Sequence, residues 1–395
     1  MANRETMRKI HRYLRGRQGA IVELLGKVVT LESPSDNPAA VESVARFLAG
    51  EWKKRGAKVN LIPVKGRGPI LRAEIPRKRP PSSYGLRRAG GAQQVLGLGH
   101  LDTVYSVGTL KRMPFKVTGG RALGPGTVDM KAGVVQALFA VEALRALRLR
   151  PAAKLVFLFT SDEEVGSAAG QPVLEAEARK SRAVLVMEPS TGLHGALKTA
   201  RKGVGEFEII VEGRAAHAGV EPEKGVNAVH ELAAQILRVA KLARPSRGLT
   251  LNVDVVEGGT RTNVIAERAR AQVDVRIARM TDGKWIERQM RRLKPVDKRA
   301  KLIVRGGINR PPLERTARVV SLFRHAEKLA GELGMKLEQS ATGGGSDGNF
   351  TAGLGVPTLD GLGGVGGGMH SPGEFVLVRH MPERAALLAG LLLTL

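Results

Sequence analysis

The chain has 395 residues, with 63 Lys and Arg against 37 Asp and Glu, a formal charge of +26. That length exceeds what one hydrophobic core organises, and 43% apolar with 25% charged residues describe a globular chain of two domains rather than a disordered or fibrous one. With no Cys, a disulfide framework, a thiolate zinc site, an iron–sulfur cluster and a cysteine nucleophile are excluded together, so any metal must be held by His, Asp or Glu.

Taken from the start, residues 1–17 carry Arg4, Arg8, Lys9, Arg12, Arg15 and Arg17 with no apolar run behind them, which argues against a Sec signal and for a cytoplasmic protein. Residues 35–54 read as a helix, 93–99 as a strand, Lys131 to Leu149 as a helix stopped by Pro151, and 154–160 and 183–187 as strands. The strands are short continuous apolar runs, the signature of strands buried on both faces, and their alternation with helices predicts an α/β fold on a mixed, largely parallel sheet flanked by helices. The middle of the chain changes rhythm. Glu206–Glu212, Leu249–Val256 and Arg270–Ile277 alternate with period two, Lys301–Arg305 is a last strand, and Glu223–Leu242 and Asp282–Leu293 are helical. The order is βαββαβ, a ferredoxin-like sandwich inserted at 201–311 between the two parts, 1–200 and 312–395, of a larger domain. The apolar C-terminal run, 385–395, is about half of the roughly 20 residues a membrane span needs.

The surplus of positive charge raises the question of nucleic acid. Nine Phe, two Trp and three Tyr are too few for a base-stacking platform, and the basic residues are scattered through Arg77-Lys78-Arg79, Arg87-Arg88 and residues 288–301, so a solvated basic surface is the reading adopted. The glycine runs Gly343-Gly344-Gly345 and Gly366-Gly367-Gly368 lack the Lys-Ser/Thr of a phosphate loop, and neither Ser346 nor Ser371 stands in a nucleophile elbow.

Three of the buried-type strands end in ionisable residues: His100 with Asp102, Asp162-Glu163-Glu164, and Glu188. In open α/β sheets such ends converge on one rim, where sites form. Asp129 follows a Gly/Pro loop that enters a helix, and His370 follows a glycine-rich loop. Singly, each has an ordinary explanation as a cap or a surface charge. Together, two His and several carboxylates make a donor set suited to Zn²⁺, or to Co²⁺ or Mn²⁺, because so many carboxylates on one rim repel one another without a cation. The pattern alone leaves both readings open.

The ordered motifs His100-Leu101-Asp102-Thr103, Gly124 to Lys131, Asp162-Glu163-Glu164, Glu188-Pro189, Gly213 to Gly219 around His217, and Gly343 to Asp347 followed by His370-Ser371 resemble the M20 family of metallopeptidases, most closely its glutamate carboxypeptidase (carboxypeptidase G) branch. The resemblance runs from about residue 20 to the end and implies two zinc ions per chain. Asp129 would bridge them, His100 and Glu188 would complete one, and Glu164 and His370 the other. Asp102 would hydrogen-bond His100 and fix its tautomer. Glu163 would be the general base for a metal-activated water, and His217 would supply an oxyanion donor, reaching the site of a partner subunit. Asn263, Arg276 and Arg310 are candidates to hold a substrate carboxylate, since Arg offers a bidentate fork. Where that branch carries Lys-x-Ser after its Glu-Pro pair, this chain has Ala196-Leu197-Lys198, a departure that bears on glutamate as the released residue.

The expected function is a dinuclear zinc amidohydrolase or exopeptidase that removes a C-terminal, acidic amino acid from a peptide or N-acyl substrate. The alternatives are an aminoacylase, deacetylase or desuccinylase of the same family, or a non-catalytic basic binding protein. The inserted domain is expected to act as a lid and to form a homodimer, because it presents an edge strand and because the resemblance implies it.

Overall fold

A computed structural model describes residues 4–76 and 94–395; the clusters Arg77-Lys78-Arg79 and Arg87-Arg88 lie outside the described residues. The principal strands, in chain order, are β1 (Lys58–Ile62), β2 (Ile70–Ile75), β3 (Gln94–His100), β4 (Lys154–Thr160), β5 (Ser181–Val186), β6 (Gly203–Glu212), β7 (Thr250–Gly258), β8 (Arg268–Ile277), β9 (Lys301–Arg310) and β10 (Thr358–Leu359). They fall into two compact units. The first comprises Met1–Ala200, Arg315–Ala341 and Ser346–Leu395, and the second Arg201–Glu314 and Thr342–Gly345.

The first unit is built on a six-stranded sheet of order β1-β2-β4-β3-β5-β10. The four strands from β4 to β10 run parallel, while β1 and β2 form an antiparallel hairpin that pairs β2 with β4. Every residue of β3 is buried, and of β4 all but Lys154, which is why these strands read as unbroken apolar runs. The helix Ala132–Ala146 is buried almost all round, with Phe139, Val134 and Leu138 in the core, as a helix enclosed on all sides must be. On the sheet, Trp52 of the helix Pro38–Lys54 meets Phe157 of β4 at 4.5 Å between ring centroids. The helix Ala132–Ala146 ends before Pro151 rather than at it, because Arg148 adopts a left-handed backbone with φ of 54°. The β1–β2 hairpin carried no clear sequence signal, since β1 has no fully buried residue.

The second unit is a four-stranded antiparallel sheet of order β7-β8-β6-β9, with the helices Ala228–Ala240 and Met280–Arg291 between strands, the ferredoxin-like order. The first of these helices begins five residues later than periodicity suggests, because the Asn227 side chain accepts from the amides of Val229 and His230 and sets the start there. Strand β9 continues through Gly306-Gly307 to Arg310, beyond the Lys301–Arg305 expected from the sequence. The unit reaches Glu314, beyond the expected 311, because Leu313 and Arg201 exchange main-chain hydrogen bonds of 3.0 and 3.1 Å and Glu314 accepts from the amide of Met280. It also takes in Thr342–Gly345, whose Thr342 carbonyl accepts from Lys202 N–H at 3.0 Å. No helix among the described residues is long and apolar enough to cross a membrane.

Candidate active site

The site lies at the carboxyl ends of the parallel strands. β3 delivers His100, β4 ends at Thr160 just before the turn that carries Glu163 and Glu164, and β5 leads through Met187 to Glu188. Two glycines let other segments close on the last of these. A Cβ on Gly133, in the helix that follows Asp129, would stand 2.0 Å from the Met187 carbonyl oxygen, and one on Gly363 would stand 2.1 Å from it. Only Gly fits against that carbonyl, one residue before Glu188.

Five side chains drawn from positions 100 to 370 meet here. His100 Nε2 lies 3.3 Å from Asp129 Oδ1 and 3.4 Å from Glu188 Oε1. The other oxygen of Asp129, Oδ2, lies 3.4 Å from His370 Nε2, which is 3.2 Å from Glu164 Oε2. One carboxylate thus faces two imidazoles, each with a second carboxylate beside it. Donor atoms of His100, Glu163 and Glu188 also lie within 4.8 Å of one another, so Glu163 belongs to the cluster. His100 is buried, Glu163, Glu164 and Asp129 are half-buried, and His370 is exposed, so the cluster opens to solvent on the His370 side.

The His100 ring has a defined tautomer. Nδ1 stands 2.9 Å from the main-chain carbonyl of Asp102, an acceptor only, so Nδ1 carries hydrogen and donates to it. The Asp102 carboxylate is farther, at 3.5 Å from Nδ1. Both acceptors of Asp102 thus face Nδ1, the main-chain carbonyl standing closer to the ring than the carboxylate. The carboxylate also accepts from Ser35 Oγ at 2.6 Å and from the amides of Glu163 and Glu164 at 3.3 and 3.1 Å. It thereby holds the turn that aims both glutamates at the cluster.

The electrostatics are those of a centre short of positive charge. Burial would lower the pKa of His100, but Asp102, Asp129 and Glu188 outweigh it and hold the imidazole well above its usual value. Asp129 is kept below the ordinary carboxylate range by His100 and His370 despite burial. Glu164 is pushed up to about 8 by burial and by Asp129 and Glu163, and His370 is raised to about 9 by its hydrogen bond to Asp129. His100 Nε2 and Asp129 Oδ1 are buried without a hydrogen-bond partner among the described residues. A divalent cation held by both residues would supply what each lacks. Tetrahedral donors on bonds of about 2.0–2.1 Å stand about 3.3 Å apart, and the four separations above span 3.2 to 3.4 Å. The imidazole and carboxylate donors fit a pair of borderline divalent ions.

Residues 97–394 match the model of peptidase family M20/M25/M40. The chain belongs to this family. Carboxypeptidase G2 of Pseudomonas sp. (strain RS-16) is 30% identical over 390 residues, covering 96% of this chain and 90% of that one. Succinyl-diaminopimelate desuccinylase of Dechloromonas aromatica is 29% identical over 322 residues, 76% of this chain and 83% of that one. Among solved structures, the fold is shared with aminopeptidase PepT of Bacillus cereus at a TM-score of 0.76 and 23% identity, covering 95% of this chain and 98% of that one. It is shared also with YXEP of Bacillus subtilis, described as a dinuclear metal-binding peptidase of the M20 family, at a TM-score of 0.69 and 16% identity, covering 96% and 98%. The protein is a hydrolytic metallopeptidase of this family.

In this M20-family peptidase several residues that support the cluster escaped sequence reading. Glu374, fully buried, accepts from the amides of Gly126, Val128 and Asp129 at 2.8–2.9 Å. Asp347 accepts from Thr160 Oγ1 at 2.6 Å and from Ser167 Oγ, tying the glycine-rich segment to the end of β4. Arg384, buried in the helix Met381–Thr394, donates to the carbonyls of Gly195, Gly361 and Gly363 and so pins the loop that leads to His370. Burial draws its pKa down to about 10, still charged at neutral pH. Only a motif signal would have found Glu374, four residues after His370; nothing in the sequence points to Arg384.

The remaining candidates lie in the second unit. His217 is exposed, and its Nδ1 accepts from the amide of Gly219 at 3.1 Å, which places the ring hydrogen on Nε2, free to donate outward. The Asn263 carbonyl accepts from the amide of Ala218 at 3.0 Å, so these two candidate loops run side by side. Arg276 on β8 is engaged by Asp274, two residues back on the same face, at 2.9–3.1 Å. Arg310, buried at the end of β9, lies against Gly345, where a Cβ would stand 2.8 Å from its Cδ.

Proposed function

We propose that this metallopeptidase is a dinuclear zinc amidohydrolase that releases a C-terminal, acidic amino acid of the glutamate type from a peptide or N-acyl substrate. The observation that carries the reading is the Asp129 carboxylate, turned with one oxygen to His100 and the other to His370 at 3.3 and 3.4 Å. Asp129 would bridge two cations, His100 and Glu188 would hold one, and His370 and Glu164 the other. When bound, such a pair acidifies a water towards neutrality and polarises the scissile carbonyl. Glu163 takes the proton of the attacking water and returns it to the leaving amine nitrogen, giving a carboxylate and a free amine. Asp102 keeps Glu163 aimed through its amide. His217 would donate from Nε2 to the developing oxyanion at the site of a partner subunit, and Arg276, Arg310 and Asn263 are the candidates to hold the substrate carboxylate.

Release of an acidic residue is supported by the likeness to carboxypeptidase G2 and by a charge of +26, whose long-range field favours encounter with anions. The likeness to a desuccinylase favours a second reading, removal of an acyl group from an N-acylated amine. Steady-state kcat/KM for glutamyl amides, dipeptides, N-acetyl and N-succinyl amino acids, with metal analysis of the same preparation, separates them. Preference for N-succinyl or acetylornithine-type substrates overturns the first reading, and no turnover of any amide by protein carrying two metals overturns both. A homodimer through the second unit completes the proposal. It is supported by edge strand β7, whose Val255 and Val256 are 41% and 55% exposed, and light scattering that returns a monomer at micromolar concentration overturns it.

A further inference from the structure

The loop that carries Asp129 has an unusual need for acceptors. Asp129 and Met130 have non-helical backbone angles, so the amides of residues 126–129 precede the first regular turn of the helix Ala132–Ala146. Buried amides without acceptors are costly, and a carboxylate is the strongest acceptor a side chain offers. Glu374 meets three of them at once: Oε2 accepts from Gly126 at 2.9 Å, and Oε1 from Val128 at 2.8 Å and Asp129 at 2.9 Å. The third donor belongs to Asp129 itself.

Glu374 also stands four residues after His370, in a short segment held at several points. The Ser371 carbonyl accepts from Tyr105 Oη at 3.0 Å and from the Glu374 amide at 3.2 Å. The amide of Gly124 donates to the Glu374 carbonyl at 3.3 Å, and Phe375–Leu377 pairs with Arg121–Leu123 in a small antiparallel sheet. The path from the Asp129 amide through Glu374 and back along the chain to His370 therefore closes on Asp129 Oδ2, 3.4 Å from His370 Nε2. A cap that only satisfied amides would not need to close that ring.

We propose that Glu374 is a positioning residue for the dinuclear centre: it locks the backbone of Asp129 so that its carboxylate bridges, and it couples that bridge to His370 so that both metal positions form together. The proposal rests on the dinuclear reading above. It does not require Glu374 to touch a metal or the substrate.

The test is Co²⁺ binding to the metal-free full chain, followed by the visible spectrum and by stoichiometry, for the wild type and Glu374→Gln. Glutamine keeps the shape and one acceptor oxygen but turns an amide donor towards main-chain N–H groups. The expected result is affinity weakened about 10–100-fold at both positions, an altered cobalt spectrum, and a fall in kcat with KM held within about twofold. Wild-type affinity and spectrum in the folded variant overturn the proposal, because a purely structural cap would change the melting temperature and leave the cobalt spectrum alone. If Glu374→Gln does not fold, Glu374→Asp keeps the charge with one methylene less reach; affinity weakened about tenfold supports the proposal and unchanged affinity overturns it. Fewer than two Co²⁺ bound by the wild type refutes the dinuclear reading and with it the coupling of two positions, and a weakened Glu374→Gln then supports only the hold of Glu374 on Asp129.

Discussion

Metal binding at this cluster is tied to proton release, and the structure sets the size of the effect. Ligation by the proposed residues requires Glu164 ionised and His370 and His100 free of their Nε2 protons. In the metal-free protein Glu164 titrates at about 8 and His370 at about 9. At pH 7 these two hold about 1.9 protons between them, and at pH 9 about 0.6. His100, held well above its usual value, adds up to one more. Both shifts are upward, so the protonated, binding-incompetent forms dominate below these values and apparent affinity rises with pH. The slope of log K against pH equals the number of protons displaced: about two to three near pH 7, falling by about 1.3 by pH 9. Calorimetric titration with Co²⁺ in buffers of different ionisation enthalpy measures that number directly. Release of less than about half a proton at pH 7, or a slope that does not fall between pH 7 and 9, would refute the reasoning. It would mean that the carboxylates do not crowd the imidazoles as the structure has them.

Three further outcomes are expected. Glu163→Gln should lower kcat by about 10²–10⁴-fold while metal content stays near two per chain, because the proposed base is lost and no proposed ligand is touched; kinetics with elemental analysis decides. Gly133→Ala should destabilise the first unit by about 1–3 kcal/mol or more, since the added methyl meets the Met187 carbonyl oxygen at 2.0 Å and main chain must move. Denaturant melts read the stability, and metal affinity should weaken too, because Glu188 follows Met187. Glu177, drawn down to about 2 against burial by Arg72 and Gln94, has a depressed pKa. Its contribution is present above its unfolded value near 4.5 and is lost as pH falls towards 2. Thermal melts of Glu177→Gln should be lower at pH 7 and less steeply dependent on pH between 4.5 and 2; a wild-type slope would refute the assignment.

The support of the site is spread unevenly. One carboxylate, Asp102, stands beside the His100 ring and holds the Glu163-Glu164 turn, whereas the glycine-rich loop before His370 depends on a buried Arg384 whose only described partners are carbonyl oxygens. A guanidinium can meet three carbonyls at once from a fixed planar fork, which an ammonium on a flexible stem matches poorly. Arg384→Lys is therefore not a conservative change.

Some of this was legible in the amino-acid order. The parallel core strands announce themselves as apolar runs because both faces are covered, and the inserted βαββαβ unit by period two because one sheet face is covered and the other wet. The residue types in the motifs identified the donor chemistry, because without Cys only imidazole and carboxylate remain. Other features depend on contacts across hundreds of positions that no local pattern encodes. The parallel order β4-β3-β5 brings together the strand ends that lead to His100, Glu164 and Glu188, and the loops that carry Asp129 and His370 close on them. Glu374 accepting from a loop 245 residues away is such a contact, whereas the Asp102 carbonyl at the His100 ring and Asp274 on Arg276 are pairs two residues apart on the chain. Periodicity reports which face of an element is buried, and it carries no information about which buried polar groups find one another. That pairing is settled only when the tertiary fold removes water and leaves each donor the acceptors within its reach.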